Sequence, residues 1–315
     1  MRVHFVDKVG RRMAYPRSAL RMLTLNCGPR RFDLIHAHTG HCGALARLQF
    51  RYPVLTSYVG YDVYGNHRAD GSITIKSRVE AWLFRVLAHT FAATITKSRG
   101  LADALPDSAR ERDTVLPNGV DRQRFRPISR QHAREELGWP RDGLVVLFVG
   151  NPEVARKRFR LAEEVCAHAR ESFPDLSLRF CSGVPVDGVP LWMNAADVLL
   201  LTSLAEGSPN AVKEAMACSL PIVAVDVGDV AEVISGTERC RVIDDSSEHL
   251  GDALVEVLAG APARSDGRER TTYLSLEAIA ARLLRIYEQI VAVQGSAGAT
   301  RVAASRRRAA AMVRV

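Results

Sequence analysis

The stretch Glu206-Gly-Ser-Pro-Asn-Ala-Val-Lys-Glu214 joins two apolar runs, Val198-Leu-Leu-Leu-Thr202 before it and Pro221-Ile-Val-Ala-Val225 after it. That context predicts strand, tight loop, helix, strand. Pro209 suits the first helical position, because a residue there has no use for an N–H. A helix running to about Ser219 points its free N–H groups at the end of the sheet and makes a place for an anion. Glu206 lies in the loop and Glu214 about one and a half turns into the helix, so two carboxylates look along one crevice. The plain alternative makes both glutamates solvated flanks of a buried α/β unit. The Gly-Ser-Pro-Asn insert argues against it, since those residues expose backbone rather than cover a core.

The rest of the C-terminal half continues the alternation. Gly143-Leu-Val-Val-Leu-Phe-Val149 reads as a buried strand ended by Gly150. Arg158 to Glu171 reads as a helix with Ala162, Val165, Cys166 and Ala169 on one face. Leu176 to Ser182 is the next strand and Val189 to Ala195 a short helix. Strand Ile222 to Asp226, a turn at Gly228, strand Cys240 to Ile243 and helix Glu248 to Leu258 follow. Strands alternating with helices imply a parallel sheet covered on both faces, with ligands outside the carboxyl ends of the strands.

The N-terminal half is shorter. Phe32-Asp-Leu-Ile-His-Ala-His38, Val54 to Tyr58, Ala92 to Lys97 and Val115 to Pro117 read as strands, and Arg78 to His89 as a helix. A final helix, Leu274 to Val291, has Leu276, Ile279, Leu283, Tyr287 and Ile290 on one face. The chain of 315 residues exceeds the size at which one core usually keeps growing, so two domains are expected. Residues 1–125 form the first and residues 126–272 the second. Residues 273–293 form the final helix, and residues 294–315 an Ala/Arg-rich tail of low complexity.

Composition, at 47% apolar and 25% charged, is that of a soluble globular protein. The most apolar helix candidate, Val79 to Ala93, is interrupted by Glu80, Arg85 and His89, and no apolar run has the length of a membrane span. Met1-Arg-Val-His-Phe-Val-Asp7 lacks the apolar region of a signal peptide, which points to the cytoplasm. Six cysteines at 27, 42, 166, 181, 218 and 240 show no close pairing and read as reduced thiols. The net charge of +8 does not signal nucleic acid, because Arg301, Arg306, Arg307, Arg308 and Arg314 carry five of those charges in the tail. Such a tail can touch anionic lipid at the inner face of a membrane, or a polyanionic substrate, or stay solvated. His36, His38 and His41 invite a metal, but no carboxylate or cysteine completes a set, so none is expected.

The Glu206 to Glu214 pattern resembles the Glu-x7-Glu motif of retaining, nucleotide-sugar-dependent glycosyltransferases with two Rossmann-like domains, the GT-B architecture of the group 1 class. The resemblance extends through Leu191-Trp-Met-Asn-Ala-Ala-Asp-Val198, Glu214-Ala-Met-Ala-Cys-Ser-Leu-Pro-Ile-Val223 and Val227-Gly-Asp-Val-Ala-Glu232. Val115-Leu-Pro-Asn-Gly-Val-Asp121, with Phe125 and Pro127, looks like the same family's interdomain segment, and the likeness covers roughly residues 31 to 290. It implies two parallel sheets facing a cleft, with the final helix crossing back onto the first domain. Relatives begin with an extra strand and a Gly-rich loop, and nothing similar precedes residue 31. That departure implies an incomplete N-terminal domain, from a start lying upstream or a reduced acceptor side.

The resemblance also implies the site. Leaving of a nucleoside diphosphate builds negative charge on the β-phosphate, and fixed dipoles and cations stabilise it in a dry cleft. Gly150-Asn-Pro-Glu-Val-Ala-Arg-Lys157-Arg-Phe resembles the family's phosphate loop, with Lys157 as the cation. Asn151 stands where relatives carry a basic residue, and Arg156 or Arg158 is expected to compensate. Glu214 is expected to accept hydrogen bonds from the ribose, and Glu206 to lie near the transferred sugar. Gly207, Ser208, Pro209, Asn210 and Ala211 would hold sugar and phosphate, and Val184-Pro185 the base. Relatives place a histidine where this chain has Val59, so Tyr58, Gly60, Tyr61 and Asp62 are expected on the sugar and acceptor side. The activity implied is hexose transfer with retention onto a glycan, a lipid-linked or a small hydroxylated acceptor, without metal or cofactor. A nucleotide-sugar epimerase of the same fold is one rival. A non-catalytic nucleotide-sugar-binding scaffold is the other, favoured by Asn151, Val59 and the short start.

Overall fold

The computed structural model describes residues 14–29, 31–66, 68 and 71–293. The first half runs α1 (Ala14–Thr24), β1 (Ile35–His38), α2 (Gly40–Ala46), β2 (Val54–Ser57), α3 (Tyr61–Tyr64) and α4 (Ile75–Ala88). β3 (Ala93–Thr96), α5 (Arg99–Asp103), α6 (Asp107–Arg110) and β4 (Asp113–Val115) complete it. Its described strands form one parallel sheet in the order β1-β2-β3-β4. The second half runs α7 (Arg130–Leu137), β5 (Val145–Val149), α8 (Phe159–Ala169), β6 (Ser177–Cys181), α9 (Val189–Ala195) and β7 (Val198–Leu201). α10 (Asn210–Ala217), β8 (Ile222–Val225), α11 (Val230–Ile234), β9 (Cys240–Ile243) and α12 (Ser247–Ala259) follow. Its parallel sheet has the order β6-β5-β7-β8-β9. The architecture is α/β, with two parallel Rossmann-like sheets.

The period of two along each strand sorts the second core into layers. Leu147, Leu199, Leu201, Ile222 and Ala224 face Met193, Val212, Ala215 and Met216 of α9 and α10. Val146, Phe148, Val198, Leu200, Val223 and Val225 face Ala162, Val165, Leu250 and Leu254 of α8 and α12. Both faces are covered, so these strands are apolar throughout, as expected of parallel sheets.

The first sheet is covered differently on its two faces. Ala37, Val54, Phe84, Ala88 and Phe91 build one layer, with α2 and α4 outside it. On the other face Leu55, Ile95 and Leu116 meet Ile286 and Ile290 of a helix over 276–293. The chain thus returns from the second half to close the first. The crossing is pinned at the linker, where Val120 N–H donates to Leu274 O at 2.8 Å and Leu276 N–H to Val120 O at 3.1 Å. His36 adds a polar tie, with its ring nitrogens 2.7 Å from Tyr287 Oη and 2.8 Å from Ser57 Oγ.

Several expected details change. Pro209 is the N-cap of α10 rather than its first residue, at φ −67° and ψ 120°. α4 begins at Ile75, where Thr74 caps it by accepting from Ser77 N–H. The last strand of the first sheet is Asp113–Val115 rather than Val115 to Pro117, although Leu116 N–H still donates to Thr96 O at 2.8 Å. Leu276 is 47% exposed, whereas Ile286, absent from the expected face, is buried. The tail of residues 294–315 lies outside the described residues, as does the start of the chain before residue 14.

The interior of the second half also holds a charged cluster. Arg134 is fully buried and gives one guanidinium nitrogen to Asp197 Oδ2 at 2.9 Å. Its other nitrogens donate to the carbonyls of Ala195, Pro140, Arg141, Asp142 and Gly143. Asp197 also accepts from Arg130 Nε at 2.8 Å and Val145 N–H at 2.8 Å. One carboxylate therefore locks α7 and the loop after it to the first residues of β5 and β7.

Candidate functional site

A cleft of about 360 Å³ opens at the carboxyl end of the second sheet, lined by Asn118, Val149, Gly150, Lys157, Glu206, Ser208, Pro209, Asn210, Ala211 and Glu214. A smaller pocket of about 110 Å³ lies between the halves, lined by Val59, Gly60, Tyr61, Tyr64, Gly65 and Asn66 from one and Arg156, Ala205, Glu206 and Gly207 from the other. Glu206 is a wall of both. The expected loop and helix residues therefore come together, and the sugar-side residues Gly60 and Tyr61 face them across the smaller pocket.

Lys157 ends a single 3-10 turn, Ala155–Lys157. The end of β7 holds that turn: Thr202 Oγ1 donates to Lys157 O at 2.9 Å, and Leu204 N–H to Arg156 O at 2.8 Å. The lysine stem lies over Gly150, whose φ of +145° is open to glycine and strained for other residues. Its ammonium reaches Glu206 Oε1 at 2.6 Å, and Arg156 reaches the same oxygen at 2.9 Å. Burial pushes the Glu206 carboxyl up, but the Lys157 and Arg156 charges outweigh it and hold it below the usual carboxylate range. Arg158 does not join them. It turns away, donating to Thr202 O at 2.7 Å and pairing with Asp245 at 2.9 Å. Asn151 is exposed and caps its own turn by accepting from Glu153 N–H at 2.9 Å.

α10 is buried almost all round, through Ala211, Val212, Lys213, Ala215, Met216 and Ala217. Asn210 and Glu214, one turn apart, are left facing the cleft. Burial raises the Glu214 carboxyl, with Lys213 opposing it. The first N–H groups of α10 have no partner within the helix, so the cleft receives them together with Lys157.

At Gly207 the backbones of the two halves approach closely. A Cβ there would sit 2.3 Å from Val59 O, and one on Gly228 2.8 Å from Gly207 O. No side chain fits between these backbones. Asn118 adds a polar bridge, its Nδ2 donating to Asn210 Oδ1 at 3.2 Å.

Two expectations fail here. Tyr58 is fully buried, and its hydroxyl donates to Phe84 O at 2.7 Å, so it belongs to the first core. Asp62 is also buried, its carboxylate filled by the N–H groups of Gly40, Val59 and Gly60 at 3.0 Å each. It braces the loop and has no oxygen free for a sugar. Val184 and Pro185 lie after β6, outside the walls of both cavities, with Val184 packed on the second core.

The structure adds residues that the sequence reading passed over. Lys213, buried, is bonded to Ser208 Oγ and lies 3.5 Å from Asp229, which also accepts from Ser208 at 2.6 Å. This trio fixes the loop from below. Its signal was a lysine among Ala211, Val212, Ala215 and Met216, where a solvated charge has no room. In the first half, Lys97 follows β3 and donates to Leu116 O at 3.4 Å. Burial and the charge of Lys213 lower it to about 8. Among the described residues no three His, Cys, Asp or Glu stand together as a metal would need, and no helix is long and apolar enough to cross a membrane.

Two family models match the chain: Glycosyltransferase Family 4 over residues 1–124 and Glycosyl transferases group 1 over residues 137–260. A D-inositol 3-phosphate glycosyltransferase of Acidothermus cellulolyticus is 28% identical over 70% of this chain and 58% of its own length. The putative teichuronic acid biosynthesis glycosyltransferase TuaC of Bacillus subtilis is 26% identical over 70% of this chain and 60% of its own. The chain thus spans about three fifths of the length of these curated relatives. Among solved structures, sucrose-phosphate synthase from Thermosynechococcus elongatus superposes with a TM-score of 0.73 at 20% identity, over 92% of this chain and 81% of that one. Anabaena Alr3699/HepE in complex with UDP and glucose does so at 0.66 and 16% identity, over 94% and 86%. The fold is GT-B, and both halves are similar in sequence to glycosyltransferase domains.

Proposed function

We propose that the protein is a retaining glycosyltransferase, moving a hexose from a nucleoside-diphosphate sugar to a hydroxyl of a glycan, a lipid-linked or a small acceptor without a metal ion. The observation that carries this reading is the gathering of Lys157, Arg156, the N-terminus of α10, Glu206 and Glu214 around the cleft and the smaller pocket, which share Glu206 as a wall. The diphosphate would lie against the N–H groups of α10 and Lys157, with the ribose on Glu214. The hexose would extend past Glu206 toward the smaller pocket, where Gly60, Tyr61 and Tyr64 meet the acceptor. Glu206 holds both cations. A diphosphate would compete for them and free the carboxylate to take sugar hydroxyls. Retention follows if the acceptor attacks from the face that the phosphate leaves, with the leaving phosphate taking its proton. Relatives named for an inositol phosphate acceptor and neighbours solved with UDP support the donor class and a hydroxylated acceptor.

Turnover of a panel of nucleotide sugars, with and without polyol and glycan acceptors, tests the reading. Release of nucleoside diphosphate and a product keeping the donor's anomeric configuration are expected. Inverted product, isomerised donor, or binding without any turnover would each overturn it.

Two further outcomes are expected. Glu214→Ala should weaken nucleoside diphosphate binding by about 1–3 kcal/mol in calorimetry, the worth of hydrogen bonds to a charged acceptor. Because burial raises the Glu214 carboxyl, wild-type affinity should start to fall on acidification at a higher pH than for an ordinary carboxylate. Affinity unchanged by the substitution would remove the ribose assignment. Chelator should leave turnover intact, since cations and a helix end already face the phosphates. Loss with EDTA and recovery with a divalent ion would refute the clamp.

A further inference from the structure

α4 carries apolar side chains on both of its faces. Ser77, Ala81, Phe84 and Ala88 are buried against the first half. The opposite stripe, Ile75, Val79, Trp82, Leu83 and Val86, stands in solvent, with Ile75 82% and Trp82 58% exposed. At 100° per residue these five lie within one arc. Arg78 and Arg85 border that arc on one side and Lys76 on the other. The single acid of the helix, Glu80, lies 4.0 Å from Lys76 and so is already matched.

We propose that the outer face of α4 docks the protein on an anionic phospholipid surface. An apolar stripe with a tryptophan, rimmed by cations, is the chemistry of a helix lying in the plane of a headgroup layer. The acyl boundary takes the stripe, and anionic headgroups attract the rim. A second copy of this chain fits less well. The stripe from Ile75 to Val86 is about 18 Å long and one helix, roughly 10 Å, wide. That footprint falls far short of the roughly 800 Å² per partner of a stable dimer, and self-pairing would bring the same cations together.

The position of α4 gives the contact a consequence. Ser77 Oγ in its first turn accepts from Asn66 N–H at 2.7 Å, and Asn66 lines the smaller pocket. Gly65, in the same wall, packs on Ile73 and Ser77. Docking through α4 sets the acceptor-side wall beside the bilayer, where a lipid-linked hydroxyl would arrive. The docking itself does not depend on the transferase reading, because it is measured without donor.

Sedimentation of the full chain with phosphatidylcholine vesicles, with and without phosphatidylglycerol, tests this. Binding to the anionic vesicles is expected, weakening with salt. Val79→Asp with Trp82→Asp should lower the apparent partition at least about tenfold, and Arg78→Glu with Arg85→Glu should abolish the preference for anionic lipid. These side chains lie outside both cavities, so nucleoside diphosphate binding should be unchanged and reports that each variant is folded. Absence of vesicle binding would overturn the proposal. So would binding untouched by the α4 variants but lost in an Arg306→Ala, Arg307→Ala, Arg308→Ala variant, which would assign it to the tail. A concentration-dependent dimer lost in the α4 variants, without vesicle binding, would assign the stripe to a second copy.

Discussion

Lys157→Ala is expected to slow glycosyl transfer by ~10²–10³-fold while weakening donor binding much less. The diphosphate is charged in the ground state, so some affinity is lost. Breaking the bond to the sugar adds charge on the β-phosphate, and a cation that gains there lowers the barrier selectively. The side chain is placed for this, with its stem over Gly150 and only 17% of it exposed, in the cleft. Arg156 shares Glu206 with it but is 41% exposed, so solvent screens more of its charge and Arg156→Ala should cost less. Arg158→Ala should act on stability, since that guanidinium serves Thr202 O and Asp245. Single-turnover rates and calorimetry separate the two effects. A Lys157→Ala enzyme with an unchanged chemical step would show that the phosphate is held elsewhere.

Asp197→Ala should produce the largest loss of stability, about 3–5 kcal/mol, because it leaves a buried cation without its counter-charge. Arg134 is fully buried, and five carbonyls solvate its nitrogens without neutralising them. The same change strips Val145 N–H of its acceptor at the start of β5. Asp197→Asn keeps an acceptor and should cost less. Arg130→Ala should cost less too, since its side chain is 24% exposed. Denaturant midpoints followed by far-ultraviolet circular dichroism give the order. An Asp197→Ala protein within about 1 kcal/mol of wild type would show that the carbonyl cage suffices for Arg134.

Much of the frame was legible because burial on both faces leaves an unmistakable trace. Val145 to Val149 and Val198 to Leu201 are apolar at every position, and only a doubly covered strand requires that. The loop Glu206 to Asn210 was legible for the opposite reason, since Gly207, Ser208 and Pro209 break the pattern between two such strands. Polar residues read less well. Tyr58 and Asp62 sit beside Gly60 in a loop that does line the smaller pocket, yet both side chains turn inward, where a carbonyl and three N–H groups need partners. Lys213 was passed over because a lysine in a helix is usually solvated. Its two partners, Ser208 and Asp229, come from separate loops.

The sequence by itself determined the alternation of strands and helices, the parallel sheets, and the Gly150 to Lys157 and Glu206 to Glu214 segments as the ends facing a ligand. Each of those follows from local chemistry: period, turn residues and the free N–H groups of a helix start. Only the tertiary structure decided that Lys157 and Arg156 converge on one oxygen of Glu206 while Arg158 leaves. It also decided that Gly207 meets Val59 across the two halves, and that the outer face of α4 stays bare. Residue types and spacings report how much a side chain avoids water. Which distant group completes its hydrogen bonds, and whether anything covers its apolar face, depends on contacts made only when the whole chain has closed.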